Sequence, residues 1–512
     1  MEKKYLVGID LGNSGIRVAC FDFNGNCVGN NVADVSTYSP EPGQLTNRVK
    51  EVEDAVIESM HNMLMNSNID PAMIAGISSS IAGGRLTGID ENGDYPFESI
   101  FTNGDKRVSS YFPKTYEKLA AAGISPERYR ELTHSTLIYN TLILALRDTE
   151  PEKAATIKKW AYSHHPMIVR ALGTEEWVDV EGWATSTGCY NPYTRELNKD
   201  ICDALDVQPE DWVTYKFAGE PCGTVSEEVA AKTGLVAGTP IYVGNNDNTP
   251  HIIAQGAINE KDVASTLGTY GVLFRLFSTP IHDIANSVFL GCSGFKAGNA
   301  YKMTTLVMGM GASYNWLHKN ICFGFEPEAE KAGKNIYEYM NELAAKSSIG
   351  ANGVLFNPNV LGSLTNSKMK ASFLGIGVTN TVNDLVRAVM EGVAYDYKIA
   401  LQNMDEATKI KSESIYVSGG IAKSEFWLQI FADVCNVPLL KAACQPDLTA
   451  CLGAAMTAGI GAGVYSSLED AVEKAVKTPT VINPIPENVE CYQKFFKEYQ
   501  KNLKILTEKV YV

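Results

Sequence analysis

No two of the 11 cysteines form a C-x-x-C pair, and their number is odd. That argues against a disulfide framework or a cysteine-rich zinc site and for free thiols in a reducing cytosol. Basic residues are in deficit: 44 Lys and Arg stand against 59 Asp and Glu, a net charge of −15. Sequence-independent nucleic-acid binding needs the opposite, a basic face. No uninterrupted apolar run is long enough to span a bilayer. Asp10 breaks the first apolar run, so a secretory segment is not expected and a cytoplasmic location is. Linkers rich in Pro, Gly or Ser are missing too, as is low-complexity sequence.

What is present is an ordinary globular composition, 45% hydrophobic and 20% charged, spread over 512 residues. That length exceeds one hydrophobic core and predicts at least two domains. With no linker to mark it, the boundary is expected in a short crossover at 254–256, giving domains 1–254 and 255–512. The stretch around which the chain is organised is 241–250, Ile-Tyr-Val-Gly-Asn-Asn-Asp-Asn-Thr-Pro. It reads as a buried strand, a tight turn and a helix start. A carboxylate there, Asp247, stands where parallel strands end and a ligand crevice opens. Taken alone, those ten residues favour Asp247 as a cap of the following helix.

Earlier in the chain, apolar residues 5–9 run into Asp10-Leu11-Gly12-Asn13-Ser14-Gly15-Ile16-Arg17, and a second strand follows at once. This polar, Gly-containing loop is therefore a hairpin tip. A Rossmann or Walker loop would need a helix there. Its backbone N–H groups and hydroxyl suit a phosphate; an ordinary turn is the plainer alternative. Asp105 and Arg107 follow a strand ending at Thr102. They would either hold a polyhydroxylated substrate through bidentate hydrogen bonds or form a solvated ion pair. The second half repeats the first: residues 264–277 flank Leu267-Gly268-Thr269-Tyr270-Gly271, another small-residue hairpin. Two such loops, one opening each half, predict a duplicated domain with a phosphate between facing hairpins. Residues 308–317 enter a helix through Gly309 and Gly311, and 415–417 end in Ser418-Gly419-Gly420-Ile421-Ala422-Lys423-Ser424 before another helix. Small residues at such turns let a planar ring approach the backbone. Leu452-Gly453-Ala454-Ala455 reads as a tightly packed structural helix.

Taken together, these motifs resemble the FGGY family of carbohydrate kinases, within the sugar kinase, Hsp70 and actin superfamily. Asp10-x-Gly12-x-x-x-x-Arg17 is similar to its first phosphate loop and Leu267-Gly268-Thr269 to its second. Gly311-Ala312-x-x-Asn315-Trp316 and Gly419-Gly420-x-x-Lys423-Ser424 look like its adenosine segments, and Gly244-x-x-Asp247 like the segment carrying its base. The resemblance implies an α/β fold of two ribonuclease H-like, actin-like ATPase domains with a central cleft. It implies ATP and Mg²⁺ as cofactors and a small sugar or polyol as partner, and a homodimer is the expected assembly. By the same resemblance Asp247 would be the general base and Asp10, with Asp247, would hold the metal. Gly12, Asn13, Ser14, Arg17, Gly268, Thr269, Gly311, Asn315, Gly420 and Ser424 would bind the nucleotide, with Arg17 alternatively a support for its loop. Asp105, Arg107 and Asn248 would bind the acceptor. The acceptor side departs from the family pattern. Asn103 stands where ketose kinases carry a stacking Trp, Ser80 to Arg85 replaces a Gln-containing turn, and Gly362-Ser363-Leu364 replaces Gly-Glu-Arg. A ketose such as a pentulose is the leading acceptor; glycerol or an erythritol-type polyol, or a non-catalytic sugar-binding relative, are the alternatives.

Overall fold

The computed structural model describes residues 2–12, 15–135, 138–282 and 288–511. Alternating and continuous apolar runs form two large sheets. The first takes β1 (Tyr5–Leu11), β2 (Gly15–Asp22), β3 (Cys27–Asp34), β4 (Ile74–Ile81), β5 (Pro221–Thr224), β6 (Pro240–Tyr242) and β7 (Asn245–Asn246). Its order is β5-β6-β4-β1-β2-β3, with β7 also paired to β4. Helix α1 (Asn248–Gln255) follows directly.

The second sheet takes β8 (Asp262–Leu267), β9 (Gly271–Phe277), β10 (Phe289–Cys292) and β11 (Tyr301–Val307). Helix α2 (Met310–Leu317), β12 (Ser414–Ser418), α3 (Glu425–Cys435), β13 (Leu439–Lys441), α4 (Thr449–Gly461) and β14 (Thr480–Ile482) come next. Its order is β10-β11-β9-β8-β12-β13-β14. The wiring repeats. In each sheet three antiparallel strands, β3-β2-β1 or β11-β9-β8, are extended by a strand parallel to the first, β4 or β12. The duplication expected from two Gly-containing hairpins is thus present in the strand order.

The halves are not independent in their packing. Helix α4, late in the second half, lies on β1, β4 and α1. Its small residues allow this: a Cβ on Gly8 would stand 1.8 Å from the Cys451 carbonyl oxygen. One buried cluster draws Leu6 and Phe21 from the first sheet together with Phe274 and Leu276 from the second and Cys451 and Met456 from α4. Burying those chains is worth about 1.5–3 kcal/mol each, so the shared cluster holds the two sheets together. No described helix is long and apolar enough to cross a membrane.

Candidate active site

The carboxyl ends of β1, β4 and β7 lie side by side. Asp10 pairs with Ser80 across the β1–β4 ladder, and Ser80 with Asn245 across β4–β7. The chain then turns, and the Asp247 N–H donates to the Ile81 carbonyl at 2.9 Å. Two carboxylates, Asp10 and Asp247, therefore converge where the parallel strands end, the usual place for a ligand in such sheets.

Asp247 holds the N-cap position of α1, but its side chain makes no capping bond. The preceding residue caps instead: Asn246 Oδ1 accepts from the Thr249 N–H at 3.0 Å and its hydroxyl at 3.2 Å. Asn246 Nδ2 also points to the carbonyls of Gly182 and Cys292, each at 3.4 Å. Asp247 Oδ1 is left shielded and without a hydrogen-bond partner. The cap reading of this residue is thus corrected: Asp247 stands at the cap position in αR conformation, but the capping bonds are made by Asn246, and the helix amide that acts on the Asp247 carboxylate is that of the adjacent Asn248. Burial pushes the Asp247 carboxyl up to about 6, opposed by the charge of Lys302 and reinforced by that of Asp10. Asp10 is likewise raised by burial, with His251 and Arg17 pulling the other way.

The turn that carries Asp247 is pinned from below. The Gly244 N–H donates to His165 Nε2 at 3.0 Å, so Nδ1 carries the proton that reaches the Val178 carbonyl at 2.7 Å. Both ring nitrogens are spent on backbone, and burial lowers the imidazole from 6.5 to about 4. Since the folded state prefers the neutral ring, its contribution is complete above 6.5 and is lost as pH falls toward about 4. Wild type is expected to lose about 3 kcal/mol more stability across that interval than a His165→Phe variant, read by urea unfolding at several pH values. Parallel pH profiles of the two proteins would refute it.

In the second half, Gly268 closes a tight turn, its N–H bonding the Tyr270 carbonyl at 3.1 Å. The turn rests on the start of α2, where the Gly311 and Ala312 amides bond the carbonyls of Gly268 and Thr269 at 3.0 and 3.1 Å. Gly419, at φ +96°, approaches the Leu267 carbonyl so closely that a Cβ would stand 2.7 Å from it. Beside this turn is a cavity of about 630 Å³ lined by Gly268, Thr269, Gly311, Asn315, Gly420 and Ser424. Its volume falls in the range of roughly 300–1,000 Å³ usual for cofactor sites. All six nucleotide residues expected from the second half are in its wall. Tyr314, Tyr337 and Trp427, which sequence reasoning missed, add aromatic surface. Tyr314 lies 4.6 Å from the Trp427 ring and 5.9 Å from the Tyr337 ring. The Ser424 hydroxyl is engaged as cap of α3, accepting from the Trp427 N–H at 3.2 Å.

On the first hairpin, Gly12 bonds the Gly15 carbonyl at 3.0 Å and Arg17 faces Asp10 across the ladder. Neither is in the wall of that cavity. Asn13 and Ser14 lie outside the described residues. Asn248 is half-buried and opens α1 directly after Asp247. Asp105 and Arg107 are joined to each other: Arg107 Nε and Nη2 donate to Oδ1 and Oδ2 of Asp105 at 3.0 and 2.8 Å. The Arg107 amide takes Oδ1 as well, at 3.0 Å. The pair is not solvated, since the side chains are 13% and 0% exposed.

Two further residues surround Asp247. Trp183 Nε1 donates to the Ile81 carbonyl at 2.7 Å, the same oxygen that accepts the Asp247 amide. Lys302, on β11 of the second sheet, reaches across to Asn246 Oδ1 at 2.8 Å. Its Nζ lies 5.8 Å from the Trp183 ring. A Trp standing alone in the Gly-, Thr- and Asn-rich stretch 179–197 was a signal; a Lys inside an apolar strand was a second.

The model of the N-terminal domain of the FGGY family of carbohydrate kinases matches residues 5–253, and that of its C-terminal domain residues 263–462. A xylulose kinase of Staphylococcus epidermidis is 27% identical, covering 98% of this chain and 96% of its own. An L-xylulose/3-keto-L-gulonate kinase of Escherichia coli is 24% identical, covering 97% and 96%. In fold, the xylulose kinase of Rhodospirillum rubrum superposes with a TM-score of 0.87 at 22% identity, over 98% of this chain and 99% of that one. The glycerol kinase of Plasmodium falciparum with ADP gives 0.83 at 17%, over 98% and 99%.

Proposed function

The chain belongs to the FGGY family of carbohydrate kinases, and from that premise we propose that it phosphorylates a hydroxyl of a small ketose of pentulose size at the expense of ATP, with Asp247 as general base. The observation that carries this reading is the partnerless Oδ1 of Asp247, beside Asp10 at the strand ends and relieved of capping by Asn246. Phosphoryl transfer asks little more of a protein than positioning, charge neutralisation and a proton acceptor. The cavity beside Gly268 and Thr269 takes the nucleotide, its aromatic wall the base and its backbone amides the phosphates. Asp10, with Asp247 next to it, offers the hard oxygen donors that Mg²⁺ prefers, and such a site keeps several waters. When bound, Mg²⁺ neutralises charge on the β- and γ-phosphate oxygens. Gly12 and Arg17 complete the phosphate clamp from the first lobe, and Asn248 borders the acceptor. The homodimer is part of the same reading.

A polyol acceptor is the second reading. Asn103 supplies no ring for a sugar to stack on, and Asp105 is held by Arg107, whose Nη1 in turn lies 3.5 Å from Glu150. An ADP-release screen over pentuloses, hexuloses, tetritols and glycerol decides between them. Turnover is expected with at least one pentulose. Turnover confined to glycerol or tetritols would replace the ketose reading, and none with any acceptor would sink the kinase reading.

A further inference from the structure

Lys302 is a buried ammonium, 6% exposed, and an ammonium has three N–H donors. Among the described residues its one hydrogen bond goes to Asn246 Oδ1 at 2.8 Å, which leaves two donors unused. Asp247, one residue on, has an oxygen with no partner. Burial lowers the Lys302 ammonium to about 8 and raises the Asp247 carboxyl to about 6, and each is the largest counter-charge that offsets this for the other. Yet they do not touch: they form no ion pair within 4.0 Å. A donor-rich cation and an acceptor-rich anion, held apart, are complementary to a group that accepts from one and donates to the other. A hydroxyl does both. The two residues come from opposite halves of the chain, Asp247 from the turn after β7 and Lys302 from β11, so a group they share would lie between the two halves. Trp183, bonded to the Ile81 carbonyl that also holds Asp247, forms the wall beside them.

Resting on the kinase reading above, we infer that Lys302 is a catalytic residue whose ammonium donates a hydrogen bond to the same acceptor hydroxyl that Asp247 deprotonates. In the transfer the hydroxyl oxygen forms a bond to the γ-phosphorus. The bond from that phosphorus to the β,γ-bridging oxygen breaks, and its electron pair leaves on ADP. The hydroxyl proton passes to the Asp247 carboxylate. Lys302 keeps its own protons throughout and offsets the negative charge that grows on the attacking oxygen, a charge felt strongly where water is excluded. The anchor on Asn246 fixes the ammonium in advance, so little reorganisation accompanies the reaction.

The test uses the full chain and the acceptor with the highest turnover in the panel, starting with D-xylulose. Lys302→Met is expected to lower kcat/KM for the acceptor by about 100-fold and to leave KM for ATP unchanged. Lys302→Arg recovers part of the loss. In Lys302→Ala, n-propylammonium raises turnover by about tenfold and n-propanol does not, a rescue that a merely structural lysine would not give. Activity of Lys302→Met within about twofold of wild type overturns the assignment. So does a loss that follows the fraction of unfolded protein in thermal melts and resists every amine. If wild type itself releases no ADP with any acceptor of the panel, the kinase reading fails, and this assignment with it.

Discussion

Asp247→Asn is expected to lower kcat by about 10²–10⁴-fold, the range a positioned general base contributes, while the protein folds and binds ATP as before. The substitution keeps the shape of the side chain. It keeps the amide bond to Ile81 and, because Asn246 caps α1, does not uncap the helix. What disappears is the proton acceptor and the negative charge between Lys302 and Asp10. The loss therefore falls on kcat rather than on KM for the nucleotide, whose proposed cavity is lined by Gly268, Thr269, Gly311 and Gly420 of the second half. Single-turnover measurements with the best acceptor separate chemistry from product release. Phosphorylation by the variant within about tenfold of wild type would remove Asp247 from the base role.

The run Asn245-Asn246-Asp247-Asn248 marks how far the sequence could be read. A turn and a helix start were legible from Gly244 and the apolar residues on either side. Which of four small polar residues would cap the helix was not. That depends on one backbone conformation, and the structure gives the cap to Asn246, leaving Asp247 free for another task. The two hairpins were legible because glycine and hydroxyl residues interrupt apolar strands at matching places, and the strand order repeats around them. Their neighbours were not. Lys302 matters because the β11 strand brings it to Asn246, 56 positions away. Trp183 matters because it shares a carbonyl with Asp247 from a stretch without periodicity. Asp105 and Arg107, two positions apart, were readable as partners. Their burial was not readable, because it follows from the surrounding sheet and helices rather than from local spacing.

Gly453→Val is expected to damage both stability and activity. The small residues at 452–455 announced close packing but not what would be packed against. The structure puts α4 on β1, β4 and α1, under the strands that carry Asp10 and the helix that follows Asp247. A Cβ on Gly453 would stand 2.1 Å from the Pro250 carbonyl oxygen and 2.5 Å from its carbonyl carbon and Cα. All three are backbone atoms, so no side chain can swing aside and one helix must move. On its opposite side α4 is equally tight, since Gly8 meets the Cys451 carbonyl. That leaves α1 to yield, and its N-terminus is tied to Ile81 through Asp247 and to Lys302 through Asn246. Overpacking of this kind costs about 1–3 kcal/mol, whereas a shift of about 1 Å at a catalytic group costs about 100-fold in rate. Gly324→Ala serves as control, because a Cβ there meets nothing within 4 Å; its stability should stay within about 0.5 kcal/mol of wild type. Urea unfolding and kcat measured on Gly453→Ala, Gly453→Val and the control test the point. If the Gly453 variants match the control in both, α4 does not set the position of Asp247; if they lose stability but keep kcat, the helix serves the fold alone.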